Sequence, residues 1–234
     1  MNYNDLVGEY NNFQQYWGEN TEEEIHKVES AHSHRHLHLM IGKIENSDSA
    51  FELKLYKGRD KTSMISEHKL EWVDDLCHID NSLVEGKIDF REGCLYLSGL
   101  GILEDCDSDV YKFLPCRYFS GWIQYPPDMD NQDDLYSQRD LEMHDQGGIV
   151  ELDVDGVDYA VELTQLVYSH TIKVMKLAVY DMPMSEVNIN SKSICYTWSN
   201  PEVKRLGINI RKVISGWTLI EPDYINSNQL NRNT

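Results

Sequence analysis

Residues 147–168 read GGIVELDVDGVDYAVELTQLVY. Two runs rich in Val, Leu, Ile and Tyr flank Asp155-Gly156. A glycine readily takes the positive φ of a tight turn, so the stretch predicts a β-hairpin. In the second run Tyr159, Val161, Leu163 and Gln165 share one strand face, and Ala160, Glu162, Thr164 and Leu166 the other. Either face can be the interior one.

The same pattern extends outward in both directions. FELKLYKG (51–58), SLVEGKIDF (82–90), CLYLSGL (94–100), DVYKFL (109–114), RYFSGWIQY (117–125), TIKVMKLAVY (171–180), LGINIRKV (206–213) and SGWTLI (215–220) are short, alternating or aromatic-rich. Arg91-Glu92-Gly93 reads as a tight hairpin connection, and YPPDMDNQDD (125–134) as an exposed loop. This many strands with little helix predict an all-β, mainly antiparallel chain folded as a calycin-like barrel, because closure removes exposed edges and leaves room for a ligand.

The N-terminus reads differently. Leu6, Tyr10, Phe13 and Trp17 recur at helical spacing between Asp5 and Trp17. TEEEIHKVES (21–30) opens on Thr21 with Glu24 three residues on, the capping-box spacing of a second short helix. The expected organisation is one domain over 1–225, with a helical segment at 1–30 and a frayed polar tail at 226–234.

The net charge of -19 argues against a phosphate-neutralising nucleic-acid surface, which needs clustered Lys and Arg. The five cysteines (Cys77, Cys94, Cys106, Cys116, Cys195) are odd in number and lack a CxxC pair, and no basic leader precedes an apolar run. A cytoplasmic protein without membrane insertion is the expectation. The chain has no GxSxG, P-loop or GxGxxG sequence, which leaves serine hydrolase, nucleotide hydrolase and Rossmann readings without support.

His32, His34, His36 and His38 alternate through HSHRHLHL (32–39) and would project from one face of a strand. Such a row can line a polar cavity, contact an organic ligand or supply metal ligands, and one ion can reach only neighbouring members. The catalytic candidates are His34, His36 and Glu162, the last as a desolvated general acid. The candidates for ligand contact are His38, Arg117, Trp122, His144, Tyr159, Arg211 and Trp217, in which arginines clamp a carboxylate and aromatic rings form an apolar wall. His144 belongs to HDQGG (144–148), which reads as a turn or as a catalytic cluster. The metal alternative, a divalent ion on His34, His36 and His38, would make a cupin-like enzyme.

LVGEYNNFQQ (6–15), followed by HLHL (36–39), resembles the N-terminal quarter of the CpcT/CpeT-type chromophore (bilin) lyases. Gly8, Asn12 and Gln15 map onto that family's Gly-x-Phe/Tyr-x-Asn-x-x-Gln pattern. The resemblance implies a calycin barrel, a linear tetrapyrrole (bilin) as substrate and a phycobiliprotein as acceptor partner. The family's PYRQR-like segment and Glu-Gln-Ala run are absent, so no bilin-contacting residue carries over. The leading expectation is a small-molecule-binding barrel, as a lyase or isomerase acting on an extended, partly apolar ligand. A noncatalytic module whose acidic surface docks a basic protein is a further alternative.

Overall fold

The computed structural model describes residues 6–18, 34–47, 49–59, 61–73, 76–80, 82–83, 87–98, 110–124, 137–154, 156–168, 172–209 and 214–220. Among them the chain is antiparallel β throughout, with little helix. It divides into two compact units, 1–116 and 117–234. Each holds its own apolar cluster, so two cores replace the single one expected over 1–225.

The first unit contains β1 (Gly8–Asn11), β2 (Leu37–Lys43), β3 (Ala50–Lys57), β4 (Met64–Val73), β5 (Leu76–Ile79), β6 (Ser82–Leu83), β7 (Lys87–Arg91), β8 (Cys94–Ser98) and β9 (Tyr111–Pro115). They form one sheet in the order β6-β5-β4-β3-β2-β1-β9-β8-β7. Its outermost strands are consecutive in the chain: only residues 84–86 separate β6 from β7. Four peptide links reach at most about 15 Å, whereas eight strand spacings in a flat sheet span about 38 Å. The sheet therefore curls until its edges approach one another.

Inside the curl lie Leu37, Leu39 and Ile41 from β2, Phe51, Leu53 and Leu55 from β3, Leu70, Leu95, Leu97, Tyr111 and Phe113. Most of these side chains are fully buried, so the interior of this unit is packed with apolar groups rather than lined by polar ones. The Arg91-Glu92-Gly93 connection behaves as expected. Arg91 pairs with Cys94 across a two-residue turn whose Glu92 and Gly93 have φ of 54° and 74°.

The helix expected from Asp5 to Trp17 is corrected. Leu6 and Tyr10 do reach the core, but Gly8–Asn11 is a strand, and helix is confined to residues 13–18. The cause is pairing on both sides: β1 bonds to β2 and to β9, which gives its backbone more partners than a lone helical turn offers. The second expected helix (21–30), the loop at 125–134 and the tail at 226–234 lie outside the described residues.

The second unit contains β10 (Tyr118–Gln124), β11 (Ser137–His144), β12 (Gln146–Val154), β13 (Val157–Tyr168), β14 (Ile172–Tyr180), β15 (Cys195–Ser199), β16 (Arg205–Asn209) and β17 (Ile214–Leu219). Two four-stranded sheets, β11-β10-β17-β16 and β12-β13-β14-β15, share a core. Phe119, Ile123, Met143, Ile208 and Trp217 come from the first sheet; Leu152, Tyr159, Val161, Leu163, Met175, Leu177 and Val179 come from the second. This unit is a two-layer sandwich. The 147–168 hairpin forms β12 and β13, and Gly156 takes φ 77°. No helix among the described residues is long and apolar enough to cross a membrane.

Candidate functional site

The histidine row does not form one ladder. Strand β2 begins at Leu37, so His34 and His36 precede it, and His32 lies outside the described residues. Within β2 the leucines face the core and His38 faces away from it. The interior histidine-lined cavity expected of the barrel is therefore replaced by an apolar interior with His38 on its outer side.

Two amide side chains, Asn11 and Gln15, hold these histidines, and backbone donors fix which way each amide points. Asn11 Oδ1 accepts from the Phe13 N–H at 2.8 Å, so its Nδ2 donates to His38 Nδ1 at 3.3 Å. His38 Nε2 then faces Glu9 Oε2 at 3.4 Å, and Glu9 Oε1 accepts from Lys61 at 2.9 Å. His36 Nε2 donates to Asn11 Oδ1 at 3.0 Å while its ring stacks on Tyr16. Gln15 Oε1 accepts from the Lys112 N–H, so its Nε2 donates to the Val110 carbonyl and to His34 Nε2. His34 packs edge-on against Tyr111.

These contacts assign the row a bracing role. Each ring has at least one nitrogen in these contacts, and His34, His36 and His38 do not form a common ligand group among the described residues. Asn12 completes the brace: its Oδ1 accepts from the Leu37 N–H and its Nδ2 donates to the Arg35 carbonyl, both at 2.7 Å, as a neighbouring strand would. Asn12 and Gln15, two positions of the lyase-like pattern, thus serve the architecture. Asn12→Ala leaves the buried Leu37 N–H without that acceptor and lowers stability by about 2 kcal/mol, readable in urea denaturation.

HDQGG forms a corner. The chain leaves one sheet of the sandwich after His144 and joins the other at Gln146. Asp145, fully buried between them, accepts from the Arg117 N–H (3.0 Å), Arg117 Nε (2.6 Å), Gln165 Nε2 (2.6 Å) and Gln146 Nε2 (3.4 Å). Arg117 also donates to the Pro201 carbonyl at 2.5 Å and sits 3.9 Å from Glu202, both in the second crossing between sheets, β15 to β16. Arg117 thus acts as a structural bracket between the two crossings. His144 Nδ1 accepts from the Gln146 N–H at 3.2 Å, which makes it part of the same corner. At Gly148 a Cβ would lie 2.3 Å from the His144 carbonyl oxygen, so the turn admits only glycine there.

The other candidates separate by burial. Tyr159 and Trp217 are core residues of the sandwich. Glu162 lies on the outer face of its sheet, buried, and accepts from Tyr180 Oη at 2.7 Å in a cluster with Ala160, Ala178 and Val187. Arg211 lies outside the described residues.

Trp122 remains, 39% exposed against 2% for Trp217. It stands in an open groove of about 640 Å³ on the outer face of the β11-β10-β17-β16 sheet, a volume within the usual range of organic-ligand sites. Two copies of one tripeptide build the floor. Ser120-Gly121-Trp122 and Ser215-Gly216-Trp217 run antiparallel in register, with Gly121 opposite Trp217 and Trp122 opposite Gly216. Outside, Trp122 lies on Gly216, where a Cβ would be 3.2 Å from the indole; inside, Trp217 covers Gly121. The repeated SGW was the sequence signal for this site, and it becomes meaningful only once the two strands are known to be neighbours.

Ser120, Thr218, Arg139, Asp140, Arg205 and Gly207 complete the groove. Arg139 and Asp140 form a β-bulge: β11 skips from Leu141, opposite Gly121, to Gln138, opposite Ile123, and Asp140 has φ 55°. No carboxylate pairs with Arg139 or Arg205 among the described residues. In a chain with 40 Asp and Glu against 21 Lys and Arg, a described lining that sets two guanidinium groups and one carboxylate, Asp140, beside one exposed indole is locally net positive. No family model matches the chain, and no curated protein or solved structure is significantly similar to it.

The bulge places Asp140 in the left-handed region, which aspartate tolerates at some cost. Asp140→Gly is expected to raise stability by about 0.5–1 kcal/mol, measured by denaturant midpoint.

Proposed function

We propose that this protein binds a small organic anion in the Trp122 groove, without catalysing its conversion. The carrying observation is the exposed indole seated on Gly216 between Arg139 and Arg205, which form no ion pair among the described residues. An indole supplies a flat apolar face, and guanidinium forks match carboxylate oxygens two at a time. The ligand-binding expectation is retained, with the site moved from a barrel interior to the outer face of a sandwich. Against catalysis, the three candidates His34, His36 and Glu162 are engaged in packing contacts and none of them lines this groove.

Linear tetrapyrroles, with conjugated rings and carboxylate side chains, belong to the class that such a groove accommodates, and so do many simpler acids. Calorimetric titration with a panel of organic acids including biliverdin tests the reading. Binding of at least one of them is expected, and Trp122→Ala weakens it by about tenfold or more. Binding unchanged in Trp122→Ala, or no binding across the panel, would contradict the proposal.

A further inference from the structure

We infer that the anion this groove accepts is a short acidic oligosaccharide, one whose sugar rings carry carboxylates. The inference rests on the groove being the ligand site and adds the class of ligand. Its first support is the one-sided platform. One face of Trp122 lies on Gly216, and among the described residues the only other aromatic one lining the groove, Trp217, is turned into the core. A flat aromatic acid gains most from enclosure between two apolar walls, and here its far side would stay in water. A pyranose ring suits a single platform. Its axial C–H bonds rest on the negative face of the indole, and its hydroxyls remain hydrated on the other side.

The second support is the polar set. Ser120 and Thr218 each offer a donor and two acceptor sites, and they stand opposite one another across β10 and β17. Asp140 accepts hydrogen bonds only. A carboxylate beside two arginines is unhelpful to a simple aromatic acid, which has no proton to give it; sugar hydroxyls do. The third support is spacing. Arg139 is on β11 and Arg205 on β16, the two outer strands of a four-stranded sheet, about 14 Å apart at the backbone. Two cations that enter the groove from its opposite edges suit carboxylates on different residues of a chain better than two on one ring. The net charge of -19 sets an upper bound on length, because a long polyanion is repelled by the rest of the molecule.

Titration calorimetry with trigalacturonic acid, maltotriose and 1-anilinonaphthalene-8-sulfonate tests this on the full chain, with far-UV circular dichroism to verify each variant's fold. Trigalacturonic acid is expected to bind at least about tenfold more tightly than neutral maltotriose, and to lose about tenfold or more in Arg139→Gln, in Arg205→Gln and in Trp122→Ala. Equal affinity for maltotriose overturns the acidic class. Trigalacturonate binding that survives Trp122→Ala overturns the inference as well. If the naphthalene sulfonate binds in a Trp122-dependent way and trigalacturonic acid does not, the sugar assignment fails and the groove reading stands. If no organic acid binds, both fall.

Discussion

Asp145→Ala is expected to lower stability by about 3–5 kcal/mol, the range for breaking a buried ion pair by removing one partner. Four hydrogen bonds converge on this fully buried carboxylate, and one donor is a guanidinium that also reaches the other crossing between sheets. Removing the carboxylate strands that charge and frees both crossings together. Urea denaturation measures the loss, and Asp145→Asn should recover only part of it, since it keeps the shape without the charge. A loss below about 1 kcal/mol would mean that water replaces the carboxylate and that the corner is not held as described.

Gly121→Ala should cost about 3 kcal/mol, at the upper end for overpacking a well-filled core. The added methyl would lie 2.3 Å from the Gly216 carbonyl oxygen and 2.5 Å from the Trp217 ring, so backbone or indole must move. Gly42→Ala is the matched control: nothing lies within 4 Å of its Cβ position, and its φ is ordinary. Denaturation midpoints of the two variants should differ clearly, with Gly42→Ala at or slightly above the parent. Because Gly121 and Gly216 form one register, Gly121→Ala should also disturb Trp122 on the opposite face.

Alternation and turn chemistry made most of the strands legible in the sequence. The hairpin at Gly156 and the Glu92-Gly93 turn follow from residues that tolerate positive φ. The N-terminal segment misled because Leu6 and Tyr10, four apart, satisfy a helix while the backbone between them finds partners on two neighbouring strands. Pairing partners remote in sequence override local periodicity. Division into two cores was equally hidden, since both units use the same short, alternating strands.

The candidate residues illustrate the same limit. Arg117 and Trp122 sit five residues apart in similar surroundings, yet one is bound to Asp145 and the other is exposed. The difference lies in a carboxylate 28 residues away along the chain. Trp122 and Trp217 stand in the same tripeptide, and strand parity alone sends one outward and the other into the core. The histidine row drew attention through its spacing, but its role depends on Asn11, Asn12 and Gln15, whose side chains act through backbone groups. Arg139, Asp140 and Arg205 escaped notice because their importance comes from a bulge and from the strand order that brings β11 and β16 to the two edges of one groove.

The central claim is that ligand sits on Trp122. Indole N–H resonances read this directly, because Trp122 and Trp198 are both well exposed, at 39% and 47%, while Trp198 stands on β15, outside the groove. With resonances assigned by substitution, addition of trigalacturonic acid is expected to shift the Trp122 Nε1–H signal in a saturable manner and leave Trp198 in place. A saturable shift at Trp198 with Trp122 unmoved would contradict the account.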